Sequence, residues 1–413
     1  MNFSPKLLRL AQNVEISLAQ RFSSFEEVSF YHTARISESF SRFRVSDSCF
    51  VGTTGYGYDD VGRETLENVY ADIFGTEAAL VRTSIVNGTH AIACMLYGTL
   101  APGDLLLSAT GMPYDTLLNA LTGEGHGTLR SYGMRFESID LLPSGEPDYE
   151  LLGAEVFKKK PRAVFIQHSR GYAQRRALTV VEIERICRTV KDQSPDTLII
   201  CDNCYGEFCE KMHPTQVGVD LMAGSLIKNP GGGLAPAGGY IVGKSELVQR
   251  AAERLTVPGI GGECGATLGQ NRLLFQGLFL APHTVCQALK TAAFAAGMLK
   301  AMGYDTSPAP EDVRSDIIQT LSLRSPENMI RFCGGIQSGS PVDSFVSPVP
   351  APMPGYSDPV IMAAGTFIQG ASLELSCDGP LRPPYTAYLQ GGLTYESGKL
   401  GILSALQRMN ESD

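Results

Sequence analysis

Charge is scarce in this chain, and what there is leans acidic. Only 19% of the 413 residues are charged, and 43 Asp plus Glu against 34 Lys plus Arg leave a formal charge of −9. A nucleic-acid partner is excluded on that ground, because neutralising phosphates takes clustered Lys and Arg. The only tight basic clusters are Lys158-Lys159-Lys160 and Arg175-Arg176. Long apolar runs are missing too: none reaches the roughly 18 residues of a spanning helix, so no membrane partner is expected. Ten cysteines are far below the density of a disulfide scaffold. The opening stretch Met1 to Leu10 carries charge where a secretory leader would be apolar. Reduced thiols in a cytoplasmic enzyme are the expectation.

What is present is an ordinary globular composition, 43% hydrophobic. At roughly 150 residues per domain the length allows two to three domains. Residues 1–50 read as a helical segment: Leu7, Leu8, Ala11, Val14, Ile16 and Leu18 recur at near-helical spacing, behind the cap signals Ser4 and Pro5. A glycine-rich turn, Val51 to Tyr58, leads to a helix between Gly62 and Gly75. Short apolar runs then alternate with helical patterns. Ala78–Arg82, Asp104–Ala109, Arg162–Gln167, Thr197–Asp202 and Gly239–Gly243 are expected strands; Thr89–Leu100, Tyr114–Leu121 and Thr179–Lys191 are expected helices. That alternation indicates an α/β domain over 51–302, its mostly parallel sheet flanked by helices. Ligands of such sheets gather at the carboxyl ends of the strands. A long helix from Asn271 to Met302 ends at Gly303-Tyr304-Asp305-Thr306-Ser307-Pro308, the best boundary. Beyond it, 303–413 reads as a smaller α+β domain with strands at Ile317–Leu323, Val360–Phe367 and Ser372–Ser376. Six prolines between Pro341 and Pro359 suggest a long ordered loop over a site.

Two motifs carry tempting but weaker readings. Gly238 to Ser245 satisfies the G-x-x-x-x-G-K-S pattern of a phosphate loop, yet Tyr240-Ile241-Val242 inside it reads as the strand itself, with Lys244 and Ser245 opening a surface helix. Cys201, Cys204, Cys209 and His213 form a zinc-like ligand set, and a zinc-binding interaction protein is the non-enzymatic alternative. However, Cys201 ends the run Leu198-Ile199-Ile200 and is expected to face a core as an inert thiol. No metal is assigned.

The informative stretch is Gly224-Ser225-Leu226-Ile227-Lys228-Asn229-Pro230-Gly231-Gly232-Gly233. Its glycines let the backbone approach a ligand closely. A lysine desolvated there is expected to have a lowered pKa and to form a Schiff base. Upstream, Asp202 ends an apolar strand, where an unpaired carboxylate is costly and a pyridinium nitrogen would justify it. Asn87-Gly88-Thr89 opens a helix whose free N–H groups suit a phosphate. Tyr114, in Gly111-Met112-Pro113-Tyr114-Asp115, is placed to stack on an aromatic ring, or simply packs a turn. Phosphate turn, aromatic, strand-end acid and lysine follow the layout of fold-type-I pyridoxal-phosphate enzymes.

Several blocks sharpen this: Tyr56-Gly57-Tyr58-Asp59-Asp60-Val61-Gly62-Arg63-Glu64, Asn87-Gly88-Thr89-His90-Ala91, Asp202-Asn203-Cys204-Tyr205-Gly206-Glu207-Phe208, the Lys228 stretch, Ala281-Pro282-His283 and Arg382-Pro383-Pro384-Tyr385. With them the chain, over nearly its whole length, resembles the methionine γ-lyase-related family often labelled aluminium resistance protein, relatives of the cystathionine and methionine lyases. The resemblance implies the fold-type-I transferase-like fold and pyridoxal 5′-phosphate as cofactor, with Lys228 as the lysine that bonds it. It also implies Asp202 at the pyridinium and Gly88, Thr89 and Ser225 on the phosphate. Tyr114 would stack on the ring and protonate the leaving group. Tyr56 and Tyr58 match a stretch that relatives lend to a neighbouring subunit, so a homodimer or homotetramer with shared active sites is implied. Arg382 is the first candidate for the substrate α-carboxylate, a group guanidinium grips bidentately; Arg170, in Ser169-Arg170-Gly171-Tyr172, is the second. Ile227 stands where relatives place threonine, and Asn87 where serine is expected.

The implied activity is a lyase acting on an L-amino acid by γ-elimination, with carbon–sulfur cleavage first. Halide elimination from an unsaturated chloro amino acid such as 4-chloro-allylglycine, giving a terminal alkyne, would follow the same route. β-Elimination, racemisation and aldol cleavage on the same cofactor remain open.

Overall fold

The computed structural model describes residues 3–171, 173, 175–353 and 358–410. The chain starts with one long helix, α1 (Pro5–Arg42), capped by Ser4, whose side chain accepts from the Leu7 N–H, with Pro5 in its first turn. A cap of this kind is worth about 1 kcal/mol. Leu7, Ala11, Val14, Leu18 and Phe25 form the helix's buried stripe. The chain goes on with α2 (Val61–Phe74), β1 (Ala78–Arg82), α3 (Gly88–Thr99), β2 (Leu105–Ser108), α4 (Asp115–Thr122), β3 (Arg135–Ser138) and α5 (Tyr149–Lys159). It continues through β4 (Ala163–Gln167), α6 (Val180–Gln193), β5 (Leu198–Asp202), β6 (Leu221–Ser225), β7 (Gly239–Gly243) and α7 (Ser245–Leu255). Then come α8 (Asn271–Ala301), β8 (Asp305–Ser307), β9 (Gln319–Ser322), α9 (Pro326–Ser338), β10 (Val360–Ala364), β11 (Ser376–Pro380), β12 (Thr386–Gln390) and α10 (Tyr395–Asn410).

Seven strands form the first sheet in the order β1-β7-β6-β5-β4-β2-β3. Its neighbours from β6 through β3 run parallel, and β7 alone runs antiparallel to both β1 and β6. The central strands are buried on both faces, as their unbroken apolar runs require. The fold is therefore the expected α/β one with a mostly parallel sheet. A second sheet, β10-β11-β12-β9-β8, is antiparallel throughout.

Five expected strands of the large sheet appear within one residue of the expected ends, and Lys244-Ser245 does lead into α7. Four strands escaped sequence reasoning, β8 and β12 of the second sheet and two of the large one. β3 is polar and lies at the sheet edge; β6 reads Leu-Met-Ala-Gly-Ser and owes its conformation to pairing with β5 and β7 on either side. One expected strand is displaced. Ser372–Ser376 is irregular, and β11 starts at Ser376. The reason is Glu374, buried, whose carboxylate accepts the N–H groups of Phe367 and Ile368 at 2.8 and 2.9 Å and so folds the segment into a turn.

Candidate active site

β4, β5 and β6 lie side by side and end in Gln167, Asp202 and Ser225. Beyond those carboxyl ends lies a cavity of about 280 Å³, to which all three side chains contribute together with Lys228. Gly88, Thr89 and Tyr114 line it as well. Six chain segments distant in sequence therefore converge on one hollow, where a parallel sheet offers ligands its strand ends.

One wall is an anion cradle. Asn87 caps α3 by accepting the His90 N–H at 2.9 Å, and the Ala91 N–H bonds the Asn87 carbonyl at 3.0 Å. The Gly88 and Thr89 N–H groups precede any carbonyl that could receive them within the helix. Facing them, Ser225 is 1% exposed and its Oγ is buried without a hydrogen-bond partner. A Cβ on Gly88 would lie 3.0 Å from Cys204 Sγ and 3.2 Å from Ser225 Cβ, so only glycine leaves this cradle open. Such an orphaned hydroxyl beside a helix N-terminus is what a bound phosphate would satisfy.

The floor carries the acid. Asp202 is 3% exposed; its Oδ1 accepts the Cys204 N–H at 3.0 Å. Burial raises its pKa above the usual carboxylate range, with Lys228 and the Cys204 N–H opposing. Burial also raises Tyr114, whose hydroxyl lies 3.1 Å from Thr89 Oγ1, and nearby Asp202 adds to that shift. The phenol therefore keeps its proton at neutral pH.

Lys228 corrects one expectation. Burial alone works to lower its pKa, but Cys204, Tyr205, Asp202 and Tyr114 around it reverse the sign and raise it well above the ordinary lysine value. Its Nζ rests 3.8 Å from the centre of the Tyr205 ring.

The two arginines stand elsewhere, and here the structure departs from the sequence reading. Arg382 does not reach the cavity: its side chain is 58% exposed and pairs with Asp358 at 3.3 Å. Arg170 is buried, but it points into the second sheet, donating to the Ser307 carbonyl and Thr320 Oγ1, each at 2.8 Å, and to Ser307 Oγ at 3.0 Å. Its neighbours Ser169 and Gly171 line the cavity instead; Tyr172 lies outside the described residues. Tyr56 and Tyr58 are 72% and 55% exposed and stack on each other, ring centres 5.5 Å apart. Buried Arg63 holds their loop against the 263–265 turn through the carbonyls of Gly57, Gly265 and Glu263. The Pro341–Pro359 stretch, of which residues 354–357 lie outside the described ones, lends no described residue to the cavity, whereas Gly370 does.

Among the lining residues that sequence reasoning left without a role are Cys204, Tyr205, Gln167 and Gly370. The first two sit in a block already singled out for Asp202, which was the available signal. Cys201, Cys204 and Cys209 are buried thiols, Cys201 within the core as expected.

The family model that matches residues 7–410 is described as methionine gamma-lyase. A Listeria monocytogenes protein solved as a proposed cystathionine beta-lyase involved in aluminum resistance is 47% identical, with a TM-score of 0.96 over 97% of this chain and 100% of that one. The carbon-sulfur lyase involved in aluminum resistance from Clostridium novyi is 44% identical, with a TM-score of 0.95 over 98% of this chain and 96% of that one. The pyridoxal-5′-phosphate dependent protein YhfS of Escherichia coli shares the fold at 19% identity, with a TM-score of 0.62 over 92% of this chain and 95% of that one.

Proposed function

This chain belongs to the methionine gamma-lyase family, and on that premise we propose that it is a carbon–sulfur lyase working by γ-elimination on an L-amino acid. Pyridoxal 5′-phosphate is the cofactor. The observation that carries this reading is the convergence of Lys228, Asp202, Ser225 and the start of α3 on one cavity. The unpartnered Ser225 Oγ and the Gly88 cradle support the fit of a phosphate.

Lys228 would hold the cofactor covalently, with Gly88, Thr89 and Ser225 on its phosphate, Tyr114 against its ring and Asp202 at the ring nitrogen. When bound, the cofactor supplies the electron sink for bonds broken at the substrate's Cα. Lys228 removes the Cα proton through Nζ, and for γ-elimination a second proton from Cβ goes to the same atom. Asp202 keeps the ring nitrogen protonated. Tyr114, a phenol that burial keeps protonated, donates its proton to the departing sulfur. A thiol, ammonium and a 2-oxo acid leave, one water being consumed. Tyr56 and Tyr58, exposed on their loop, would complete the site of a second copy in a homodimer or homotetramer. The setting is cytoplasmic in this reading; among the described residues no helix is long and apolar enough to cross a membrane.

A second reading is β-elimination, favoured by the name of the Listeria relative. Incubating the cofactor-loaded protein with methionine, homocysteine, cystathionine and 4-chloro-allylglycine separates the two by mass spectrometry. The four-carbon 2-oxo acid from methionine or homocysteine is expected, and an alkyne amino acid would extend the same reaction to halides. Pyruvate from cystathionine, with methionine untouched, would replace γ- by β-elimination.

A further inference from the structure

Tyr205 combines two features that no role assigned so far explains. Its φ is +75° and that of Phe208 is +63°, left-handed values that bulky side chains avoid and that persist only where the surroundings enforce them. The enforcement is visible. Asn229 Nδ2 donates to the carbonyls of Tyr205 and Glu207, both at 2.9 Å, and Cys209 Sγ lies 3.4 Å from the Tyr205 carbonyl. Asn229 directly follows Lys228, so one buried amide ties the strained turn to the backbone of the lysine. The ring and the amine are thereby set at a distance controlled from both ends. The result is Nζ 3.8 Å above the ring centre, inside the range of roughly 6 Å over which a ring face attracts a cation.

We infer that Tyr205 is the seat of the Lys228 amine: its ring face holds the protonated side chain whenever that nitrogen is not bonded to the cofactor. The inference rests on the role given to Lys228 above. The ring exchanges no proton. When the neutral amine takes up a proton it becomes an ammonium, and the π face stabilises that charge until the proton is returned. On this inference the effect belongs to the ring; the Tyr205 hydroxyl also interacts with Lys228, and the Phe variant below separates the two. The other groups facing Nζ are Asp202 at the end of β5, Cys204 and Glu207 in the turn after it, and Tyr114 ahead of α4. All of them are acids, and all remain in place when only the ring is changed.

The test uses the cofactor-free protein and reads the pH dependence of pyridoxal-phosphate uptake, trapped with borohydride and mapped to a peptide. Only the neutral amine attacks an aldehyde. Tyr205→Asn removes the ring with a side chain that tolerates left-handed backbone; Tyr205→Phe keeps the ring and drops the hydroxyl. The uptake midpoint should move to lower pH by about one unit or more in Tyr205→Asn, and should stay with the natural protein in Tyr205→Phe. Should the Asn variant fail to fold, Tyr205→Gly, unstrained at this φ, takes its place. An unmoved midpoint in the ringless variant overturns the inference, as does an equal shift in Tyr205→Phe. Borohydride tagging of another lysine would instead overturn the assignment of Lys228 itself, so the two failures are distinguishable.

Discussion

At the carboxyl ends of β4, β5 and β6 stand Gln167, Asp202 and Ser225, facing a cavity. At the corresponding rim of the second sheet stand Ser307 and Thr320, and both are taken by Arg170. The polar atoms of the first set are held available: Ser225 Oγ and Gln167 Oε1 are buried without partners. Those of the second set are engaged with one another, and their effect is to lash the two sheets together. Burial alone does not separate a site from a strut, because Arg170 and Ser225 are equally hidden. What separates them is where the groups point: Arg170 commits Nη1 and Nη2 to partners within the chain, leaving only Nε unmet, whereas Ser225 lines the cavity with its sole polar side-chain atom unpartnered. Leaving a buried polar atom unmet costs free energy, and at Ser225 a bound phosphate would remove that cost.

That contrast can be broken from either side. Lys228→Ala should have the largest effect, cutting 2-oxo acid release at least about 10³-fold and abolishing borohydride tagging; retained turnover would remove the site from this cavity. Arg170→Ala should lower the midpoint of denaturant unfolding of the cofactor-free protein by the equivalent of about 3–5 kcal/mol, since it leaves the buried partners of the guanidinium unmet. Were Arg170 a substrate contact instead, KM would rise while stability held. Ser225→Ala should weaken cofactor binding by about tenfold, measured by spectroscopic titration, with the melting temperature of the cofactor-free protein unchanged, because its hydroxyl has no partner to lose.

A smaller effect is expected from Glu207. This carboxyl is fully buried, accepts from the Tyr240 hydroxyl at 2.7 Å, and is pushed by burial from 4.5 to about 8. A raised folded-state pKa favours folding at low pH, and that contribution is lost as pH climbs through about 8. Thermal scans at pH 5 and pH 8.5 should show Glu207→Gln losing less stability than the natural protein over that interval, by ~1 kcal/mol or more. Parallel losses would mean that Glu207 is ionised throughout. The smallest effect belongs to Arg382→Ala: an exposed ion pair contributes at most about 1 kcal/mol, and KM should not move. A KM raised tenfold would return Arg382 to the substrate.

The parts of the site legible from residues were those whose chemistry depends on local order. Asn87-Gly88-Thr89 at a helix start, an acid ending an apolar strand and a lysine among glycines each announce a conformation as well as a functional group. The arginines were illegible for the opposite reason. A guanidinium suits a carboxylate, a ring of carbonyls or a surface aspartate equally well, and which one it meets depends on distant segments such as Ser307 and Thr320. The sign of the Lys228 shift failed likewise, because desolvation can be read from an apolar context while the neighbours that outweigh it come from separate elements. Tyr205 was visible within a motif, yet its left-handed backbone was not; Asn229 imposes that across the turn.

Hydrophobic periodicity and turn chemistry by themselves determined α1 to α4, α6 and α8, the strands β1, β2, β4, β5 and β7 and the mostly parallel character of the large sheet, since both act over a few residues and leave a pattern in the chain. Tertiary structure decided which polar groups remain unmet, where each arginine is held and how an aromatic ring comes to face an amine. Those outcomes depend on packing between segments far apart in sequence, and packing leaves no period to read.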